Sequence, residues 1–195
     1  MQLKRRQTMY YDLTLCISPE MRKDANGNDR FSLIGHLGTH FDVMDKEFPL
    51  EYLHRRAIVF DVSSIRNRDI GAEDIDMSLI QEDMFVGFFT GCAAEFGYGQ
   101  KEYFHSPVAL SEALIEQLIA CRISIIGIDC PGIRMGKEHT PMDQHCADHG
   151  VFIVENMSGM EKLLQGDRFK HCEINTYPVS YSGMTGLPCR VVAEI

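Results

Sequence analysis

Gly35-His36-Leu37-Gly38-Thr39-His40-Phe41-Asp42 places two imidazoles and a carboxylate within seven positions, with a glycine between the imidazoles. On an extended backbone successive side chains alternate faces, so His36, Gly38, His40 and Asp42 share one side. On a helix His36 and His40 would still align, but Asp42 would stand about 120° away. The strand reading is the one that uses all three groups. Two imidazoles and a carboxylate suit zinc or another borderline divalent ion. Four residues of straight strand span roughly 13 Å, near the limit for two histidines to reach one ion. Either the chain bends at Gly38, or the stretch feeds two ions that share Asp42. The plain alternative is a histidine-rich strand end that only hydrogen-bonds. The H-x-x-x-H-x-D spacing around Gly-Thr favours the metal.

Working outward, the segments on either side read as strands and short helices. Residues 10–17 alternate and carry β-formers, which predicts a first strand. Asn26-Gly27-Asn28-Asp29 is a turn, and 31–41 is the strand region that bears the opening motif. Residues 45–56 are charged, with a short helix expected after Pro49. Residues 57–62 and 84–90 are short apolar strands; 70–80 is an acidic loop or short helix. The Gly-, Tyr- and Phe-rich segment 91–106 shows no period, and irregular connections of that length are usually functional. Ser111 caps an amphipathic helix over 111–121. Residues 123–128 form a buried strand with Asp129 at its end. Thr140 as N-cap and Pro141 at the first helical position open a second helix that Gly150 closes. Residues 151–154 are a strand ending at Glu155, 157–164 are helical, and 174–180 and 190–195 are closing strands. Strands and helices alternate in the middle of the chain.

Composition narrows the function. The 195 residues fit one domain of ordinary size with a sizeable core. A formal charge of −9 argues against sequence-independent nucleic-acid binding, which needs a basic surface. The seven cysteines are an odd number and form no C-x-x-C pair, so free thiols in a reducing cytoplasm are expected. Lys4, Arg5 and Arg6 are followed by no apolar stretch, so no signal peptide is expected. No window of eighteen apolar residues predicts a membrane span.

Other groups could take part in chemistry. Glu155, a carboxylate at a buried strand end, needs a partner and is a candidate ligand; a salt bridge or cap would also satisfy it. His145 and His149 lie one helical turn apart on one face, either in a site or at a solvated helix C-terminus. His54, His105, His139 and His171 stand in charged or loop settings and read as surface residues. Cys130 has no identifiable partner histidine and is a poor nucleophile candidate.

With these residues in place, the chain resembles a known family. His36 to Asp42 (HLGTHFD) is similar to the H-x-G-T-H-x-D signature of the cyclase-like metal-dependent hydrolases, which include bacterial arylformamidase (kynurenine formamidase) and isatin hydrolase. Further matches follow in order: Asp12-Leu13-Thr14; residues 59–63; Ile126-Gly127-Ile128-Asp129; 151–156 (VFIVEN); and 184–193 (MTGLPCRVVA). The resemblance implies an α/β fold with a mixed, barrel-like β-sheet and peripheral helices, the swivelling β/β/α arrangement, as one domain over 1–195. It implies a homodimer or higher oligomer, a small-molecule substrate, and one or two divalent ions, zinc first and manganese second. It implies hydrolysis of an amide or cyclic amide C–N bond by a metal-activated water. Carried over by position, His36, His40, Asp42 and Glu155 match metal ligands, with Asp42 bridging where two ions are present.

Two departures stand out. The family continues D-A-P-x-H, whose last histidine moves protons, whereas Asp42 is followed by Val43-Met44-Asp45-Lys46. Asp45, Lys46 or His149 would have to replace that catalytic group. The family's ligand histidine twelve residues before the glutamate is replaced by Asp143, with His145 two residues on. Asp143 and His145 lie about 200° apart around a helix, so only one should face the metal with Glu155. The spacing favours Asp143, which would favour a harder ion such as manganese; it could equally be a helix-start carboxylate. The rival reading is a catalytically silent relative that binds a small ligand or metal.

Overall fold

Eight strands form one sheet that closes on itself in a computed structural model that describes residues 9–15, 35–105 and 108–195. The strands are β1 (Tyr10–Asp12), β2 (His40–Asp42), β3 (His54–Asp61), β4 (Phe85–Phe89), β5 (Ile125–Ile128), β6 (Phe152–Glu155), β7 (Phe169–Pro178) and β8 (Gly186–Glu194). Their order is β1-β8-β2-β6-β5-β4-β3-β7, and β7 also pairs with β8, which joins the ends of a seven-strand ring. β3, β4, β5 and β6 run parallel; the other pairs are antiparallel. Of the parallel strands, β4, β5 and β6 are short apolar runs, buried over most of their length, as a strand covered on both faces requires. The expected mixed, barrel-like α/β fold is the observed one.

Alternation splits the core in two. Phe41, Ala57, Val59, Phe85, Ile125, Val154, Leu187 and Val191 meet in one cluster. Ile58, Phe60, Val86, Phe88, Ile126, Ile128 and Ile153 turn to the other face, where they meet Leu114, Ile115 and Leu118. Those leucines and isoleucine belong to α3 (Glu112–Ala120), which follows two shorter helices, α1 (Cys92–Phe96) and α2 (Lys101–Phe104). The Ser111 side chain accepts from the Leu114 N–H, so the expected cap is in place. The period-free segment 91–106 therefore contains two short helices rather than continuous loop. After Pro49 a single 3₁₀ turn forms at Leu50–Leu53, and 70–80 holds two more at Ala72–Asp74 and Met77–Leu79.

The helix expected from Thr140 begins earlier. α4 spans His139–Asp148 and is preceded by a 3₁₀ turn at Gly136–Glu138. Pro141 still lies in the first turn, where its missing N–H costs no helical hydrogen bond. Gly150 follows the helix with φ +75°, and its N–H donates to the Ala147 carbonyl, which closes the helix as glycine is expected to. α5 (Met160–Leu164) completes the chain's helices among the described residues. The turn expected at 26–29, residues 31–34 of the strand expected at 31–41 and Cys16 lie outside the described residues. No disulfide joins the six described cysteines. No described helix is long and apolar enough to cross a membrane.

Candidate metal centre

The opening motif bends rather than running straight. Only His40–Asp42 is strand, while Gly35 and Gly38 hold φ values of +83° and +75°. That left-handed backbone is open to glycine and strained for other residues. The bend at Gly38 brings the His36 and His40 rings to 4.7 Å between centroids. His36 Nδ1 lies 3.0 Å from Asp42 Oδ1, and His40 Nε2 lies 3.4 Å from the same oxygen. Gly35 and Gly186 of β8 let the two backbones approach closely: a Cβ at Gly35 would stand 2.0 Å from the Gly186 carbonyl oxygen, and one at Gly186 would stand 2.7 Å from the His36 ring.

Strand pairing supplies the next ligand. β2 is antiparallel to β6 with His40 opposite Glu155, and His40 Nε2 lies 3.6 Å from Glu155 Oε2. Phe41 and Val154 point to the inner cluster, so His40, Asp42 and Glu155 point to the face covered by α4. From that helix come His139 and Asp143, four residues apart on one side. His139 Nε2 is 3.0 Å from both Asp143 Oδ2 and Glu155 Oε1, and 4.0 Å from Asp42 Oδ2. His139, read from sequence as a surface residue, is half-buried at the centre of the cluster.

The remaining candidates sit elsewhere. His145 turns to the opposite side of α4, where its Nε2 is 2.8 Å from Glu116 of α3. His149 packs on His145 and bonds its carbonyl. Lys46 pairs with Asp45 and Asp148 at 3.0 and 2.6 Å, on an exposed loop beyond the turn at Met44. Asp45, Lys46 and His149 do not line the cavity above the cluster, whose volume is about 350 Å³. That cavity is lined by His36, His40, His139, Glu155 and Asn156, with Phe104, Pro131 and Met135 as apolar wall. Burial pushes the Cys130 thiol well above its usual range, which disfavours a reactive thiolate.

Behind the ligands lies a set of fixed hydrogen bonds. His40 Nδ1 is 2.8 Å from the Gly38 carbonyl, an acceptor that fixes the proton on Nδ1 and leaves the Nε2 lone pair for an ion. Asn156, buried and left-handed at φ +56°, donates from Nδ2 to the same carbonyl at 3.0 Å. Tyr103 donates to Asn156 Oδ1, and Thr39 donates to the Asn156 carbonyl, each at 2.7 Å. The Gly38 N–H donates to Tyr98 Oη. Tyr98, Tyr103 and Asn156 were not singled out by their sequence setting as supports of the bend.

Charge balance tests whether a cation fits. Three buried carboxylates, Asp42, Asp143 and Glu155, meet within a few ångströms, and burying like charges together is costly. His40 Nε2, both Asp42 oxygens, Asp143 Oδ1 and Glu155 Oε1 are buried without a hydrogen-bond partner. Protons carry the balance in the bare cluster. Burial would lower the His40 pKa, but Asp42 and Glu155 outweigh it and hold it at about 9. Burial and the Asp42 charge push Glu155 up to about 8, while burial raises Asp143 to about 6. Asp42 is held well below the usual range: burial opposes this, but the His40 charge and the nearby His139 and His36 rings prevail. A divalent ion among these nitrogen and oxygen donors would supply the same positive charge, so the residues fit one.

A metal-affinity titration follows from these values. Ligands bind an ion deprotonated, so protons on His40 and Glu155 compete with it. Apparent affinity should keep rising with pH through about 8 and about 9, rather than levelling above the 6.5 of an ordinary imidazole. The metal-free fold moves the other way. The His40–Asp42 ion pair stabilises it fully below 6.5, and that contribution is lost as pH rises through about 9. Chelator competition between pH 6 and 9.5 measures the first trend; affinity flat above pH 7 would contradict it.

Comparison with known proteins agrees with this architecture. A potential metal-dependent hydrolase with cyclase activity superposes with a TM-score of 0.71 at 22% identity, covering 96% of this chain and 98% of the other. A predicted metal-dependent hydrolase from Bacillus stearothermophilus gives 0.72 at 21% identity, with the same coverage, 96% and 98%. Isatin hydrolase A from Labrenzia aggregata gives 0.68 at 16% identity, covering 96% and 94%. A search of curated proteins gave no match. The family model described as "Putative cyclase" matches residues 11–134, which include the bend and strand carrying His36, His40 and Asp42. Together the match over well over half the sequence and the closed mixed sheet show that the chain belongs to the cyclase family.

Proposed function

We propose that this protein is a metal-dependent hydrolase that cleaves an amide or cyclic amide C–N bond in a small molecule. The observation that carries the reading is the convergence of His36, His40, Asp42 and Glu155, with buried unpartnered donor atoms, at the floor of a cavity. A divalent ion bound there would polarise a carbonyl and bring water to a reactive state at neutral pH. The protein's part is to hold and orient. The Gly38 carbonyl fixes the His40 tautomer, and the β2–β6 register sets Glu155 across from His40. Phe104, Pro131 and Met135 offer an apolar wall that would seat a ring or other flat apolar group beside the polar floor. The likeness to isatin hydrolases supports a cyclic amide as one substrate type.

The test is metal analysis of protein purified without added metal, then hydrolysis assays on formamides, lactams and isatin-like rings, with lactones as the C–O control. Metal-dependent turnover of a nitrogen-containing member is the expected result. Bound metal with no turnover across the panel would favour a silent relative, and preferred cleavage of lactones would overturn the C–N assignment.

A further inference from the structure

We propose that His139 is a metal ligand, and that with Asp42, Asp143 and Glu155 it forms an oxygen-rich cation site next to the nitrogen-rich set of His36, His40 and Asp42. The inference rests on the metal reading above and goes beyond it by assigning a ligand that neither the opening motif nor the family pattern marks.

The geometry comes in two groups. Ligand atoms of His36, His40 and Asp42 all lie within 4.8 Å of one another, and so do those of Asp42, His139, Asp143 and Glu155. Asp42 is common to both. In the second group one ring nitrogen, His139 Nε2, faces three carboxylates at 3.0, 3.0 and 4.0 Å. A structural histidine bridging one carboxylate would need no such arrangement. One N–H cannot satisfy all of these oxygens, and Asp42 Oδ2, Asp143 Oδ1 and Glu155 Oε1 are buried without a hydrogen-bond partner. A dication accepts all four donors at once. His139 and Asp143 are positioned for this by one turn of α4, and the half-exposed ring gives the ion a path from the cavity.

The two donor sets differ in character. Two nitrogens and one oxygen suit zinc; three oxygens and one nitrogen suit a harder ion such as manganese or magnesium. Zinc outcompetes manganese at almost any such set, so the sorting shows when zinc is limiting.

The experiment strips the full-length protein with chelator, then supplies one equivalent of zinc and excess manganese. Metal content after desalting and the manganese electron paramagnetic resonance signal are recorded, with circular dichroism as the check on folding. One zinc and one manganese per chain are expected. His139→Ala should retain zinc and lose manganese affinity by about 10-fold or more, while His36→Ala should do the reverse. Manganese content and spectrum unchanged in folded His139→Ala would overturn the inference while leaving a zinc-bound hydrolase intact. Manganese loss that follows His36→Ala instead would also overturn it. A wild-type protein that holds neither ion would remove the metal reading of the site itself.

Discussion

Asp42→Ala is expected to strip metal from the whole cluster while leaving a folded protein. Asp42 is buried, both its oxygens lack a hydrogen-bond partner, and it belongs to both groups of donor atoms. No other residue of the cluster is shared in this way. Its removal leaves His36 and His40 without the carboxylate that lies 3.0 and 3.4 Å from them. It leaves His139, Asp143 and Glu155 on the far side with one anion fewer. The fold should survive, because the Phe41 neighbour holds β2 in the inner cluster and the β2 backbone pairs on both sides. If metal-dependent hydrolysis is the activity, losing the ion forfeits several kcal/mol of transition-state stabilisation, which is about 10³-fold in rate. Metal content by mass spectrometry, read beside far-ultraviolet circular dichroism, checks this. Full metal occupancy in a folded Asp42→Ala protein would sink the reading of the cluster.

The sequence made the strand half of this site readable and hid the helix half. Alternation alone puts His40 and Asp42 on one side of β2 with Phe41 on the other, and burial agrees. The need for Gly38 to bend was a matter of reach, and its φ of +75° is the bend. Glu155 was legible as a carboxylate ending an apolar strand. His139 was not, because Thr140-Pro141 is a strong helix-start signal and placed His139 outside the helix. With α4 beginning at His139, the His139–Asp143 spacing is one helical turn, and that i, i+4 relation was the available clue. The proton-transfer candidates Asp45 and Lys46 lie away from the cavity for a related reason. After Asp42 the chain does not continue along the site: Val43 is buried, Met44 takes φ +55°, and Lys46 is drawn to Asp148 at the end of α4. Position after a motif says nothing of direction once the backbone turns.

Asn156 is expected to set metal affinity without touching the ion. Its side chain joins the Gly38 carbonyl to the Tyr103 hydroxyl, and its backbone carbonyl receives the Thr39 hydroxyl. The Gly38 carbonyl in turn orients His40 through Nδ1. Alanine at 156 removes both side-chain bonds and keeps a left-handed backbone at φ +56° that a Cβ disfavours. Loss of the buried bonds costs about 1–3 kcal/mol, and the backbone term adds about 1–2 kcal/mol. Glycine removes the same bonds but not the conformational freedom, so Asn156→Gly should be more stable than Asn156→Ala by about 1 kcal/mol. Both variants should lose about 10–100-fold in metal affinity, the scale typical of groups that orient a ligand histidine. Denaturant unfolding separates the two substitutions, and chelator competition compares their affinities. Equal stabilities would show that the left-handed backbone is not strained for alanine here. Metal affinity unchanged in both would show that Asn156 braces the scaffold and leaves His40 correctly oriented without it.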